Sequence, residues 1–78
     1  MHIKILGSGC KKCVALADNT KAAAQTAGID VEIEKVTDII AIAGYGVMST
    51  PGLVIDGKVV SSGRVLSAPE IAQILQDA

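Results

Sequence analysis

An α/β fold in the element order βαβαββα is what this sequence predicts, and three features carry that reading. A strand-like run, a helical repeat and a second alternating run follow one another between His2 and Val36. The dipeptide Asp56-Gly57 separates two short apolar runs, and Ser67-Ala68-Pro69-Glu70 opens a final amphipathic stretch.

The first run, His2–Leu6 (HIKIL), is short and apolar enough for a strand, and Gly7-Ser8-Gly9 after it is a turn. From Lys11 to Ala27 the residues Cys13, Leu16, Ala17, Thr20, Ala24 and Ala27 recur at helical spacing, with Lys12, Asp18, Asn19 and Gln25 on the other side. Gly28 supplies a left-handed stop and Ile29 the apolar contact that often follows one. Val31 to Val36 alternates as a strand, with Val31 and Ile33 on one face and Glu32 and Glu34 on the other. Strand, helix and strand in this order predict a right-handed crossover between parallel strands. Thr37 or Asp38 can cap a short helix that runs through Ala43 and is ended by Gly44, and Tyr45–Thr50 reads as a loop before Pro51. Leu53–Ile55 and Lys58–Val60 are predicted to pair antiparallel, because Asp-Gly suits a two-residue hairpin turn. In the last segment the Ser67/Glu70 spacing is that of a capping box, Pro69 falls in the first turn, and Ile71, Ile74 and Leu75 form the apolar stripe.

A chain of 78 residues has room for one small domain, 1–78, near the lower size limit for a core without metal or disulfide support. Half the residues are apolar and Tyr45 is the only aromatic, so the core must be built from Ile, Val, Leu and Ala. A formal charge of −1 provides no basic field for nucleic acid or anionic lipid. The run Met1–Leu6 is too short and too charged for a secretory signal, and no stretch reaches the ~18 apolar residues of a membrane span. The expectation is a soluble, cytoplasmic protein, with no nucleic-acid or membrane partner.

The chemistry is concentrated in Cys10-Lys11-Lys12-Cys13, which contains both cysteines of the chain and joins the first strand to the first helix. Helical positions three apart share a face, so the two thiols can come within disulfide distance at little backbone cost. At the helix start Cys10 faces unpaired N–H groups and the positive end of the dipole, which favour the thiolate that attacks a disulfide. Lys11 and Lys12 add positive charge, weakened by solvent screening. In a reducing compartment a lone cysteine pair points to catalysis, redox sensing or metal binding before a permanent staple.

With these motifs in place the chain resembles the glutaredoxin-like small thioredoxins, small redox-active disulfide proteins with the thioredoxin fold. The resemblance spans essentially the whole chain and rests on Cys10 and Cys13 after the first strand, Thr50-Pro51 before the Leu53 strand, and the Asp56-Gly57 hairpin. It implies a four-stranded mixed sheet flanked by helices, a nucleophilic Cys10, a resolving Cys13, and a cis Pro51 packed beside them. The Thr50 backbone would then pair with a polypeptide or thiol substrate. The implied function is thiol–disulfide exchange or electron transfer without a bound cofactor, on a disulfide-containing protein or small thiol, with a separate reductase restoring the reduced form.

The chain departs from its larger relatives at several positions. Lys11-Lys12 stands where thioredoxins usually carry Gly-Pro and glutaredoxins Pro-Tyr, and Gly9 precedes the motif in place of tryptophan. The ionisable residues of the first strand are His2 and Lys4, where thioredoxins place a buried acid that handles the resolving thiol's proton. Ser61-Ser62-Gly63-Arg64 does not reproduce the glutathione-binding Gly-Gly and acid of many glutaredoxins. A rival reading is a soft-metal domain in which the same two thiolates hold Cu(I). Such domains run βαββαβ and end in a strand, whereas this chain ends in a capped helix. A structural zinc would need four ligands, which two cysteines and a distant His2 do not supply. His2 reads as a solvated or edge-strand residue, Arg64 as a solvated loop charge, and Tyr45 and Met48 as either loop filling or the rim of a substrate groove.

Overall fold

A computed structural model describes residues 1–7, 9 and 11–77. The described residues form β1 (His2–Leu6), α1 (Lys11–Ala27), β2 (Glu32–Val36), α2 (Ile39–Gly44), β3 (Gly52–Ile55), β4 (Lys58–Ser62) and α3 (Ala68–Asp77). The strands make one mixed sheet in the order β2-β1-β3-β4. β1 runs parallel to β2 and antiparallel to β3, which is antiparallel to β4.

Strand alternation divides the core between the two sheet faces. On one face Ile3 and Ile5 of β1, with Leu53 and Ile55 of β3, pack against Leu16, Ala17, Ala23 and Ala24 of α1 and Ile71, Ala72 and Leu75 of α3. On the other, Leu6 and Val54 meet Ile42 of α2 and Val47 of the following loop. The helical periodicity identifies most of the α1 face, but Ala23 is also fully buried, while Ala27 is only half-buried. Small alanines let α1 approach both the sheet and α3, and Thr20 satisfies its buried hydroxyl by donating to the Leu16 carbonyl at 2.7 Å.

Local geometry follows the sequence closely at three ends. Gly28 ends α1 at φ 68°, with Ile29 N–H donating to the Ala24 carbonyl and Gly28 N–H to Gln25, the paired bonds of a Schellman motif. Asp56 and Gly57 both take positive φ, 49° and 83°, as a type I′ hairpin turn requires. At α3 the Ser67 amide donates to the Glu70 carboxylate at 3.2 Å, and the Glu70 amide donates back to the Ser67 hydroxyl at 3.3 Å.

That reciprocal cap makes a pH-dependent contribution. Hydrogen bonds from the Ser67 amide, then from its hydroxyl, hold the Glu70 carboxyl below its ordinary value of 4.5. A group depressed in the folded state stabilises above its unfolded value, and the contribution disappears as pH falls through the lower folded value. Ser67→Ala is therefore expected to lower the thermal midpoint by about 4–8 °C near neutrality. The difference from wild type should shrink in acid, as melting followed by circular dichroism at several pH values would show.

One detail differs from the sequence expectation, and two alternatives it left open are decided. Gly44 is the last residue of α2 and does not stop it; Tyr45 is the C-cap, and Gly46 takes the left-handed conformation at φ 79°. Asp38, not Thr37, caps this helix, its carboxylate accepting from Ile40 N–H at 3.1 Å. His2 lies on a central strand, not an edge. It is solvated there, with Nε2 3.7 Å from Glu34 Oε1.

Candidate active site

The carboxyl end of β1, the first turn of α1 and the loop entering β3 come together at one end of the sheet. Leu6 pairs with Gly52 across β1 and β3, which brings the segments after Leu6 and before Gly52 side by side. Cys13 lies in the first turn of α1 and is 5% exposed. Its sulfur rests on Gly7, so that a Cβ built on Gly7 would collide with Cys13 Sγ and lie 3.7 Å from Thr50 Cβ. One glycine thus separates the Cys13 thiol from the Thr50 side chain.

Around that contact the chain alternates buried and accessible positions. Thr50 is exposed and Pro51 fully buried, and the peptide bond between them is cis. Gly63 N–H donates to the Pro51 carbonyl at 2.8 Å, so the turn after β4 holds this segment from the far side. Lys11 and Lys12 are exposed on the first turn of α1, which carries no acidic residue. Val14 is partly exposed next to Cys13, and Met48 stands 95% exposed two residues before Thr50. Cys10, the expected nucleophile, lies outside the described residues.

Tyr45 does not join Met48 on the rim. It is half-buried on the α2 face of the sheet against the Leu6 and Val54 cluster, where its hydroxyl accepts from Lys4 Nζ at 2.8 Å. Lys4 Nζ also lies 5.4 Å from the ring centroid. The hydrogen bond to Tyr45 raises the proton affinity of Lys4 above the ordinary lysine value, with the nearby Glu34 carboxylate contributing less. Lys4 is therefore engaged on the face opposite Cys13.

Three neighbours of Cys13 carried no sequence signal of their own. Gly7 reads as an ordinary turn residue, and its closeness to the sulfur emerges only when α1 packs on β1. Lys35 and Thr37 lie more than twenty positions from Cys13 in the chain, yet they line the same recess as Cys13 and Val14. The parallel pairing of Ile5 with Lys35 is what brings them there.

This architecture places a buried cysteine at a helix start beside a Thr-Pro segment at the carboxyl end of a central strand, an arrangement suited to reversible thiol chemistry. Thioredoxin 1 from the thermophilic eubacterium Thermosipho africanus has the same fold, with a TM-score of 0.64 over 99% of this chain and 92% of that one at 21% identity. The thioredoxin-domain family model matches residues 1–76, and the chain belongs to that family. A thioredoxin of Methanothermobacter thermautotrophicus is 41% identical over 75 residues, which are 96% of this chain and 97% of that protein. A thioredoxin of Methanocaldococcus jannaschii is 43% identical over 74 residues, 95% of this chain and 85% of its own. The expected family, the mixed α/β sheet and the thiol–disulfide oxidoreductase function are thereby borne out, with disulfide-containing proteins as the broad substrate class.

Proposed function

We propose that residues 1–78 act as one domain in which Cys10 is the nucleophile and Cys13 the resolving thiol of a reversible Cys10–Cys13 disulfide. Cys10 thiolate attacks a substrate disulfide, forming a mixed disulfide and releasing one substrate thiolate. Cys13 thiolate then attacks the Cys10 sulfur, the second substrate sulfur leaves as thiolate, and two electrons have passed to the substrate. The observation that carries the role of Cys13 is its burial on Gly7, in the first turn of α1, where an external disulfide has little access. Lys11 and Lys12 modulate the exposed end electrostatically. Thr50 presents backbone to an extended substrate, and Pro51 packs behind it. No cofactor enters this cycle; a separate reductase recharges the pair, and the protein works in the cytoplasm without nucleic-acid or membrane partners. Among the described residues no helix is long and apolar enough to cross a membrane.

The decisive experiment couples the reduced protein to a dithiol reductant and follows repeated reduction of a protein disulfide, with a Cu(I) competition in parallel. Catalytic turnover, with copper lost to a modest competing thiol, is the expected result. Tight copper retention without turnover would overturn the assignment in favour of a soft-metal role for the same thiolates.

Met48 tests the placement of the substrate groove. With its side chain almost wholly in solvent beside Thr50, it provides apolar contact to a docked polypeptide and little to the fold. Met48→Asp is expected to reduce kcat/KM for a protein disulfide roughly 3–10-fold while leaving reaction with a small aromatic disulfide unchanged. Equal losses on both substrates would place the groove elsewhere.

A further inference from the structure

A formal charge of −1 offers no field when averaged over the chain, but the fold does not spread its charges evenly. Exposed acids gather around the amino end of β1. His2 N–H donates to Asp56 Oδ1 at 2.9 Å, Glu32 is the register partner of His2, and the Asp30 carbonyl lies 3.3 Å from the Met1 nitrogen. Asp77 ends α3 nearby, beside Ile55 and Lys58 of the β3–β4 hairpin. The cysteine end is cationic. Lys11 and Lys12 are exposed on the first turn of α1, and Lys35 lines the recess that holds Cys13.

Arg64 completes this rim from the other side of Thr50. Gly63 N–H donates to the Pro51 carbonyl, and a Cβ built on Gly63 would lie 2.9 Å from Ser49 Cβ, so the turn after β4 rests directly on 49–51. Arg64 follows it and is exposed. Four of the chain's seven lysines and arginines thus bracket the Thr50 segment. Among the described residues none of the four is within ion-pair distance of a carboxylate. The acids closest in the chain are committed elsewhere: Asp38 caps α2 through Ile40 N–H, and Glu70 caps α3 through the Ser67 amide and hydroxyl. Converging like charges repel one another and contribute nothing to the fold, but they make this end complementary to an occupant of opposite sign.

We infer that the rim of Lys11, Lys12, Lys35 and Arg64 selects polypeptide disulfides flanked by acidic side chains, with Arg64 the specificity-determining residue on the Thr50 side. The inference rests on the oxidoreductase reading and adds the substrate chemistry that the same site prefers. The occupant is a polypeptide because Val14 and Met48, exposed beside these charges, offer it apolar contact. An extended chain advances ~3.3 Å per residue, so side chains two or three positions from the reacting cysteine stay within ~10 Å of the rim. That span is comparable to the screening length of ~8–10 Å at moderate salt. Complementary charge over such distances speeds association and disfavours partners of the wrong sign, and the acids at the opposite end orient the approach.

The test uses three synthetic peptides, each closed by one intramolecular disulfide and identical except that the flanking residues are Glu, Gln or Lys. Single-turnover reduction of each by the reduced protein is normalised to its reduction by dithiothreitol, a neutral dithiol. At ~10 mM salt the Glu peptide is expected to react roughly 10-fold faster than the Lys peptide, with the Gln peptide between them, and the ratio should fall below about 2-fold in 1 M salt. Arg64→Glu should cut the low-salt ratio by at least about 3-fold, and Arg64→Lys should keep it. Lys58→Glu, which changes the net charge equally at the far end, should also keep it. Each ratio is taken within one protein, so a loss of folded fraction cancels. A ratio near one, a preference for the Lys peptide, or equal losses of ratio in Arg64→Glu and Lys58→Glu would overturn the proposal. Association is read apart from the chemistry with a Glu peptide whose cysteines are replaced by serine, which should shift the amide resonances of residues 48–50 and 63–65 in wild type and far less in Arg64→Glu. Absence of those shifts in wild type would overturn the proposal whether or not disulfides turn over. Reduction of none of the three peptides, with the shifts intact, would instead sink the oxidoreductase reading and leave the acid-selective rim standing.

Discussion

Cys13→Ser protein is expected to fold, to react once with a disulfide substrate, and then to stop. The serine hydroxyl fits the space of the thiol on Gly7 but cannot displace the substrate from a mixed disulfide, so a covalent adduct on Cys10 should accumulate. Turnover should fall by on the order of 10³-fold or more, equivalent to about 4 kcal/mol of barrier for the closing step. Intact-mass spectrometry after reaction would show the protein plus one substrate moiety, removable by reductant. The same method applied to singly alkylated wild type should find label on Cys10 before Cys13, because the described position of Cys13 is buried. Preferential labelling of Cys13, or undiminished turnover in Cys13→Ser, would reverse the assignment of roles.

Gly7→Ala should have the second-largest effect, through one methyl group. The added Cβ would fall on Cys13 Sγ and 3.4 Å from Cys13 Cβ, so the sulfur or the start of α1 must move. Gly7 is not among the positive-φ residues, so alanine meets no backbone penalty there and the effect isolates the steric contact. Overpacking of this kind costs about 1–3 kcal/mol, and displacement of a reacting atom by about 1 Å can slow a reaction roughly 100-fold. Chemical denaturation should register the first loss and the rate of intramolecular disulfide closure the second. Gly44→Ala is the matched control: nothing lies within 4 Å of the new Cβ, the residue is helical, and substitution should leave closure unchanged while stabilising by up to about 1 kcal/mol. Normal closure in Gly7→Ala would show that the Cys13 sulfur has more freedom than its burial implies.

The exposed apolar residues divide along the same lines. Val14 and Met48 flank the cysteine and Thr50, and their exposure suits a surface that covers a polypeptide only during exchange. Ile39 and Ile40 are also about four-fifths exposed, on the first turn of α2, because the helix buries Ile42 and has too few turns to bury both neighbours as well. Nothing in the fold explains why two isoleucines stand there.

The amino-acid order by itself determined those features whose causes lie within a few residues. The short apolar run His2–Leu6, alternation at 32–36, the α1 repeat, the left-handed stop at Gly28, the I′ turn at Asp56-Gly57 and the Ser67–Glu70 box all depend on local dihedrals and short-range hydrogen bonds. The placement of Cys13 on the first turn of α1, with Thr-Pro at the entrance to a strand, was legible for the same reason. The α2 stop was misread locally: Gly44 and Gly46 both offer a left-handed residue within two positions, and packing of Ile42 and Val47 on Leu6 decided between them. Only the tertiary structure decided which groups surround the sulfur. Pairing of Leu6 with Gly52 brought the Thr50 segment beside Gly7, and pairing of Ile5 with Lys35 put a lysine on the cysteine's face. Lys4, only nine residues before Cys13, was carried to the opposite face and bonded to Tyr45. A shift of one residue in strand register exchanges the two faces, so the electrostatics of this thiol depend on a long-range alignment that no local pattern encodes.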